Sequence, residues 1–291
     1  MKALRVTAFG TEATLAELPE PIPGPSQVVV DVVAAAANPL DLKIASGVMT
    51  DFFPVALPYV LGTDFSGRIA TPGAGWQVGD PVIGRLDPVA GGAFAEQVVL
   101  DAAHLVPAPS HLTLEAAAGL PTAAATAWQA LVEVADVHSG QTVLVHAAAG
   151  GVGSFAVQIA RRLGARVVAT ASGSGVAIAE KLGADKVLDY RKTDFARELR
   201  GVDVVLDTVG GEVGTRSRRV LKPGGLLVTT PAPADGAAFV FHTSDAARLA
   251  KVADLGLEVL VDRTCPLADG ARALASLAEG HARGKVLLSV A

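Results

Sequence analysis

The chain has 291 residues, of which 51% are hydrophobic and 18% charged, and its formal net charge is −5. This composition is typical of a folded globular protein, and the mild acidity argues against nucleic acid or an anionic membrane as the main partner. A single cysteine, Cys265, excludes a disulfide framework and a thiolate metal cluster within one chain.

The first residues, MKALRVTAFGTEATLAELPEP, lack the long apolar stretch of a signal peptide. No uninterrupted apolar run reaches the roughly 18–20 residues that a membrane helix requires. We therefore expect a cytoplasmic protein with no membrane partner.

Short β-branched segments separated by Pro, Gly and Asp fill the first part of the chain. They read QVVVDVVAAAA, VLGTDFSGRIA, DPVIGR and FAEQVVL, and most of the 17 prolines precede residue 122. Such punctuation is typical of strands joined by tight turns. It predicts a compact all-β unit.

From about Leu112 the pattern changes to alternating strands and helices. TVLVHA is an uninterrupted apolar run, as in a parallel strand buried on both faces, and ARVVAT, KVLDY, VDVVLDT and GLLVTT are further strands. Helices are predicted before Gly164, in VAIAEKLG, around 195–199 and around 213–221. The alternation predicts an α/β fold with a doubly wound parallel sheet.

The turn after TVLVHA reads AAAGGVG, with the spacing Ala147-x-x-Gly150-x-x-Gly153. Small residues at the carboxyl end of a parallel strand let the backbone approach a diphosphate, and the following helix offers unpaired N–H groups. The strand and helix around the turn are the context that supports this motif. We predict a dinucleotide site with contacts from Ala149, Gly150, Gly151, Val152 and Gly153.

An NAD-selective site carries Asp or Glu about 20 residues after such a turn. No Asp or Glu occurs between Val137 and Ala179. Because a carboxylate would repel a 2′-phosphate, its absence favours NADPH, with NADH as the alternative cofactor. Hydroxyls for the phosphate are expected from Ser172, Ser174 and Tyr190.

The whole set of motifs occurs in the order of a known family. NPLDLKIASG, LGTDFSGRI, VGDPVIG, GGAFAEQVV, HAAAGGVGSFAVQIARRLGA, DVVLDTVGG, LKPGG and RGKVLL follow one another. The chain thereby resembles, nearly end to end, the zinc-independent quinone oxidoreductase branch of the medium-chain dehydrogenase/reductase superfamily. The resemblance implies a GroES-like β domain of residues 1–112 and 243–291, with a Rossmann nucleotide-binding domain of residues 113–242 inserted, and a substrate site between the domains.

The resemblance also implies roles for individual residues. It places Asn38 and Asp41 beside the nicotinamide end, with Asn38 bonding ribose or a substrate carbonyl and Asp41 organising the loop. Thr126 matches a threonine that approaches the nicotinamide, and Lys43 is a candidate donor to a developing oxyanion, as is Tyr59 with less support. Turn formation for Asn38 and a solvated lysine for Lys43 stay open as plain structural interpretations. Further cofactor contacts are expected from Thr208, Thr230 and Lys285.

Zinc-dependent relatives hold their catalytic metal with Cys, His and a third ligand. Here the Asn38–Lys43 segment has no cysteine, Gly62–Asp64 stands where those relatives carry His-Glu, and the six histidines are dispersed. We predict no metal site.

The predicted activity is NADPH-dependent hydride transfer to a small-molecule quinone, in the 1.6.5 enzyme class. A close alternative is reduction of an α,β-unsaturated carbonyl (enone), and a distant one is a non-catalytic NADPH-binding structural or sensing protein. Only residues 231–238 separate LLVTT from FVFHTSD, fewer than typical members have near the nicotinamide pocket, so substrate size stays open. AFVFH is a candidate edge strand for a homodimer.

Overall fold

The computed structural model describes residues 1–290, which form two compact units. The first unit contains Met1–Thr122 and the residues from Ser244 onward, and the second unit is Ala123–Thr243. The first unit therefore continues past the predicted boundary at residue 112. The cause is Ala118, which packs with Ala34, Ala36 and Leu287 in an apolar cluster of that unit.

The strands and helices follow in chain order. The strands are β1 (Lys2–Val6), β2 (Thr14–Glu17), β3 (Gln27–Ala37), β4 (Tyr59–Val60), β5 (Asp64–Ile69), β6 (Pro81–Arg85), β7 (Gln97–Asp101), β8 (Leu105–Pro107), β9 (Thr142–Val145), β10 (Arg166–Ala171), β11 (Lys186–Asp189), β12 (Val202–Asp207), β13 (Leu221–Thr229), β14 (Ala238–Phe239), β15 (Val261–Pro266) and β16 (Lys285–Ser289). The helices are α1 (Pro39–Ala45), α2 (Leu114–Ala117), α3 (Ala123–Trp128), α4 (Gly151–Arg162), α5 (Gly175–Lys181), α6 (Phe195–Glu198), α7 (Glu212–Ser217), α8 (Ala246–Ala253) and α9 (Gly270–Ala278).

The first unit is built around one large sheet in which β3 is the central strand. The strand order is β15-β16-β3-β5-β6-β8, with β7 also paired to β3, and a smaller sheet has the order β2-β1-β4. The segments predicted as strands do form β3, β5, β6 and β7. The all-β prediction was incomplete, because the unit also contains α1, α2, α8 and α9.

The second unit is a parallel sheet of order β11-β10-β9-β12-β13-β14. The apolar residues of β9 are fully buried, as expected for a strand covered on both faces. This is the doubly wound Rossmann arrangement that the alternating pattern predicted. Its order reverses between β10 and β12, on either side of β9, which is where ligands of such sheets bind.

One detail of the second unit differs from the sequence-based expectation. The helix expected over 213–221 ends at Ser217, and β13 begins at Leu221 with an irregular register opposite β12. The candidate dimer segment is the edge strand β14. Among the residues described, no helix is both long and apolar enough to cross a lipid bilayer.

Candidate functional site

The glycine turn joins the carboxyl end of β9 to α4. The Gly150 N–H donates to the carbonyl oxygen of Ala147 at 2.8 Å, and Ala147 has a φ of 49°. An alanine in this left-handed region is strained by about 1–2 kcal/mol. The turn thus keeps a tight, defined path at the end of the central strand.

Gly153 is the position at which the turn has no room for a side chain. A Cβ there would lie 2.2 Å from the carbonyl oxygen of Ala147. Without it, the first turn of α4 lies directly against the loop, and the segment Ala149–Gly153 presents only small side chains and Val152 at the helix N-terminus. This cradle fits the diphosphate of a dinucleotide, which such helix ends bind through N–H groups and the helix dipole.

His146 lies directly below the turn and is 1% exposed. Its Nδ1 is 2.9 Å from Thr170 Oγ1 and its Nε2 is 2.9 Å from Ser217 Oγ. Since Ser217 donates its own proton to the Val213 carbonyl at 2.7 Å, the Ser217 oxygen must accept from Nε2–H. Burial lowers the pKa of His146 to about 4, so the neutral ring ties β9 to β10 and α7. This histidine therefore has a structural role.

The ends of β10 and β11 carry the residues expected to bind a 2′-phosphate. Ser172 Oγ donates to the Tyr190 hydroxyl at 2.9 Å, and the Tyr190 side chain is exposed. Ser174 is also exposed and directly precedes α5. The structure therefore brings Ser172 and Tyr190 into contact and places Ser174 in the same loop.

The loop after β12 is held by Asp207. Its Oδ1 accepts hydrogen bonds from the Val209 and Gly210 N–H groups, both at 2.9 Å. Thr208 donates to the His146 carbonyl at 3.0 Å, and Thr230 N–H donates to the Asp207 carbonyl at 3.1 Å. A cavity of about 160 Å³ borders this loop, and its lining includes Gly211, Thr215, Arg218, Thr229 and Pro231. The short link after β13 therefore forms part of the cavity wall.

In the first unit, Asn38 is the centre of a buried polar cluster. Its Nδ2 donates to the Ala36 carbonyl at 3.2 Å and to Asp64 Oδ2 at 3.0 Å, and its Oδ1 accepts from Lys285 Nζ at 2.6 Å. Because an ammonium can only donate, Lys285 fixes the orientation of the amide. Both Nδ2 hydrogens are therefore used within the unit.

Asp41 lies at the start of α1 and is 1% exposed. Its Oδ2 accepts from the Asn38 N–H at 2.7 Å. Burial raises the pKa of Asp41 to about 7, partly opposed by that hydrogen bond. The Asp41 carboxyl can therefore hold a proton near neutral pH.

Lys285 is fully enclosed at the start of β16, where its Nζ also donates to the Ala37 carbonyl at 3.1 Å. Burial lowers the pKa of the ammonium, while Asp64 and Asp41 raise it. Predicted as a cofactor contact, Lys285 is brought into direct contact with Asn38.

Asp64 and Arg85 belong to the same cluster and were not predicted as site residues. They are directly opposite each other on β5 and β6, and Arg85 Nε is 4.0 Å from Asp64 Oδ1. Asp64 is fully buried, and Arg85 is 6% exposed. The sequence signal for this pair is an acid, Asp64, inside the apolar segment VLGTDFSGRIA. The resemblance alone relates this position only to a missing zinc ligand.

Lys43, Thr126 and Tyr59 are the remaining residues predicted for the reducing site. Lys43 is half-buried on α1, and Thr126 is buried within α3 of the second unit. The Tyr59 hydroxyl donates to the Pro88 carbonyl at 2.7 Å, and burial raises the phenol pKa above its ordinary value. Tyr59 is therefore a poor proton donor. Within residues 1–290, no three His, Cys, Asp or Glu side chains group as metal ligands.

Comparison with known proteins agrees with this architecture. Residues 24–110 match the family described as "Alcohol dehydrogenase GroES-like domain", and residues 182–288 match "Zinc-binding dehydrogenase". The chloroplastic quinone-oxidoreductase homolog of Spinacia oleracea is 30% identical over 322 residues, covering 99% of this chain and 98% of the relative. The solved quinone oxidoreductase from Coxiella burnetii superimposes with a TM-score of 0.91 at 32% identity, covering 100% and 99% of the two chains.

The chain belongs to the zinc-independent quinone oxidoreductase branch of the medium-chain dehydrogenase/reductase superfamily. Membership confirms the GroES-like and Rossmann parts of the predicted fold, and it makes the protein a nicotinamide-dependent oxidoreductase of this superfamily.

Two further similarities are informative. Polyketide synthase GfsB of Streptomyces halstedii is 43% identical over 207 residues, a match that covers 69% of this chain and 4% of that protein. The solved CurK enoyl reductase has a TM-score of 0.88 at 26% identity, covering 99% and 98% of the two chains.

Proposed function

We propose that the protein is an NADPH-dependent reductase that transfers a hydride to a quinone. The single observation that carries the proposal is the pair of sites within one chain: a glycine cradle followed by a strand end with hydroxyls and no carboxylate, and a buried charged cluster around Asn38. The similarity to two quinone oxidoreductases supports this substrate class.

Preference for NADPH is supported by the Ser172–Tyr190 pair. The two hydroxyls are 2.9 Å apart at the ends of adjacent strands, and Arg191 follows immediately. Hydroxyls and a guanidinium bind a phosphate well, whereas the ribose 2′-hydroxyl of NADH calls for a carboxylate.

The nicotinamide cofactor supplies the hydride when bound. The role of the chain is to bind it, orient it and stabilise the charge that develops on the acceptor oxygen. We assign Asn38 to hold Lys285 and Asp64 in position at the reducing centre, through Oδ1 and Nδ2 respectively. This replaces donation to a substrate carbonyl, because its Nδ2 hydrogens are committed to Ala36 and Asp64.

Two groups in the cluster can stabilise the negative charge that develops on the acceptor oxygen. Lys285 uses two of its three ammonium hydrogens on Ala37 and Asn38, which leaves one for a ligand oxygen. Burial raises the pKa of Asp41 to about 7, so its carboxyl can hold a proton near neutral pH while Oδ2 accepts from the Asn38 N–H. We assign both to the reducing centre, together with Lys43 on α1.

The test follows absorbance at 340 nm with NADPH and NADH in parallel, using a simple benzoquinone. We expect faster oxidation of NADPH, and slow turnover in Asn38→Ala. Ser172→Asp is expected to reverse the preference toward NADH, whereas the uncharged control Ser172→Asn is expected to keep NADPH ahead. Equal rates for both cofactors in all three proteins would contradict the assignment of the 2′-phosphate site.

A second candidate function is reduction of an activated enone. It is favoured by the similarity to CurK enoyl reductase and by the cavity beside the short link 231–238. Replacing the benzoquinone by a simple alkenone in the same assay separates the two. Tight NADPH binding without turnover of either acceptor would instead indicate the non-catalytic alternative.

We further propose a homodimer that pairs through β14, the edge strand of the second unit, since an edge strand offers unpaired backbone groups to a second copy. Sedimentation at two concentrations, with Phe239→Pro as the variant, tests this. A monomer at all concentrations would refute it.

A further inference from the structure

The Arg85 guanidinium binds the two residues at which the chain leaves the first unit and returns to it. The chain leaves this unit after Thr122 and returns to it at Ser244. Arg85 Nε donates to Thr122 Oγ1 at 2.9 Å, and Arg85 Nη1 donates to Ser244 Oγ at 2.6 Å. The two points at which the chain crosses out of the unit and back are therefore bound to the same side chain.

The contact continues from Thr122 to the polar cluster. Thr122 donates to Asp64 twice, from Oγ1 to Oδ1 at 2.6 Å and from the backbone N–H to Oδ2 at 2.9 Å. Asp64 Oδ2 also accepts from Asn38 Nδ2 at 3.0 Å. An unbroken series of hydrogen bonds thus runs from Ser244 through Arg85, Thr122 and Asp64 to the amide of Asn38.

The geometry of this series depends on an arginine. The guanidinium is planar and presents its N–H groups in a fixed fork, so it can hold two oxygens at a set separation. A lysine ammonium at the same position is a single point of attachment. Arg85 and Asp64 face each other across β5 and β6, and both are buried. Removing either side chain would leave the other charge buried without its partner, which is strongly destabilising.

We propose that Arg85 is a positioning residue of the reductase: by holding Thr122 and Ser244 together it fixes Asp64, and through Asp64 it fixes the amide of Asn38. The inference rests on the proposed function for its kinetic consequences, but the hydrogen-bonded series is independent of which substrate is reduced. Arg85 touches no reacting atom in this scheme. It acts by fixing the orientation of Asn38 and by keeping Thr122 and Ser244 in fixed positions.

Three variants test the proposal at increasing severity. Ser244→Ala removes one acceptor without changing a charge, Thr122→Val removes the central hydroxyl, and Arg85→Lys keeps the charge but not the fork. Thr122→Ser keeps the hydroxyl and serves as the rescue. All four are compared with the full-length wild type for thermal unfolding, backbone hydrogen exchange and steady-state kinetics with the benzoquinone.

We expect Arg85→Lys and Thr122→Val to lower kcat about tenfold or more, the effect of losing one hydrogen bond to a charged group, with NADPH affinity by titration changed less than threefold. Ser244→Ala is expected to lower kcat by a smaller factor, and Thr122→Ser to restore it. Amide exchange at Thr122 and at residues 36–38 is expected to become faster in Arg85→Lys and Thr122→Val.

Other outcomes would overturn the inference. Wild-type kcat and wild-type exchange at these amides in Arg85→Lys would show that the series does not position Asn38. A lower melting temperature with unchanged kcat in Thr122→Val would show that the contacts serve stability alone. If the wild type itself reduces no quinone or enone, the proposed function fails. Amide exchange at residues 36–38 in Arg85→Lys then still tests the positioning series: faster exchange supports it, and unchanged exchange contradicts it.

Discussion

Lys285 donates a hydrogen bond to Asn38 Oδ1 at 2.6 Å, although 247 positions separate the two residues in the sequence. The contact joins the start of β16 to the residue that precedes α1. Since the ammonium has no acceptor atom, it determines which end of the Asn38 amide faces β16 and which end faces Asp64.

Removal of the Lys285 charge is expected to destabilise the first unit. Lys285→Met removes the ammonium that donates to Asn38 Oδ1 and leaves Arg85 as the cation near the buried acids Asp64 and Asp41, so we expect a loss of about 3–5 kcal/mol in the free energy of unfolding. Adding Asp41→Asn is expected to recover part of the loss, because a neutral amide needs no counterion. Urea unfolding of the single and double variants measures this, and strictly additive effects would contradict the coupling.

Asp41 is expected to contribute a fall in stability as the pH rises toward 7, and this contribution is separated from that of His146 by comparing wild type with Asp41→Asn. Its carboxyl ionises near 3.8 in the unfolded chain and near 7 in the folded one, so the folded state holds more protons between these values. The stabilising contribution is complete below about pH 4 and is lost as pH rises through 7, at about 1.4 kcal/mol for each pKa unit. Asp41→Asn is expected to remove this slope. Identical pH profiles of wild type and variant would contradict it.

His146 is expected to give the opposite slope on the acid side. Its folded pKa of about 4 lies below the ordinary 6.5, so the unfolded chain binds more protons between these values and stability falls as pH drops from 6.5 to 4. In His146→Gln, a side-chain N–H can still donate to Ser217, and this slope is expected to vanish. Thermal unfolding from pH 4 to 7 gives the comparison, with persistence of the slope as the contrary result.

The glycine cradle gives a graded prediction for cofactor affinity. A Cβ at Gly153 would lie 2.2 Å from the Ala147 carbonyl oxygen, whereas a Cβ at Gly150 would lie 3.1 Å from the same atom. We expect Gly153→Ala to weaken NADPH binding more than tenfold, since the backbone must shift, and to unfold at a lower temperature. Gly150→Ala is the matched control with a smaller effect. Equal affinities of the two variants would show that the close approach is unimportant.

The local patterns predicted the elements better than they predicted the polar contacts. Apolar runs located β9, β10, β12 and β13 because a strand buried on both faces leaves a continuous signal in the sequence. The resemblance selected Asn38 and Asp41, which do lie together. No local pattern could select Arg85, because its role depends on the register that places it opposite Asp64.

The carboxyl end of α7 shows the same limit of local sequence patterns. Residues 213–221 have a helical composition, yet Leu221 belongs to β13, because the partner strand β12 supplies its hydrogen bonds. Likewise the boundary at 112 missed the packing of Ala118 on Ala34 and Ala36 of β3 and on Leu287 of β16, residues that are distant from it in the sequence. Both differences arise from tertiary contacts that outweigh local propensity.

The position of β16 has a consequence for how the protein is made. β7 pairs with Gln27–Asp31 of β3, and β16 pairs with Ala34–Ala37 on the same side. That second part of β3 therefore stays unpaired on the ribosome until β16 has been synthesised, whereas every strand of the second unit is available earlier. During this interval the backbone groups of the apolar stretch Ala34–Ala37 stay unpaired along that side. The side chains of Asp41 and Asp64 also lack the nearby Lys285 ammonium. Nascent chains stalled before β16 should therefore be prone to aggregation and dependent on chaperones, even though their nucleotide-binding part is already complete.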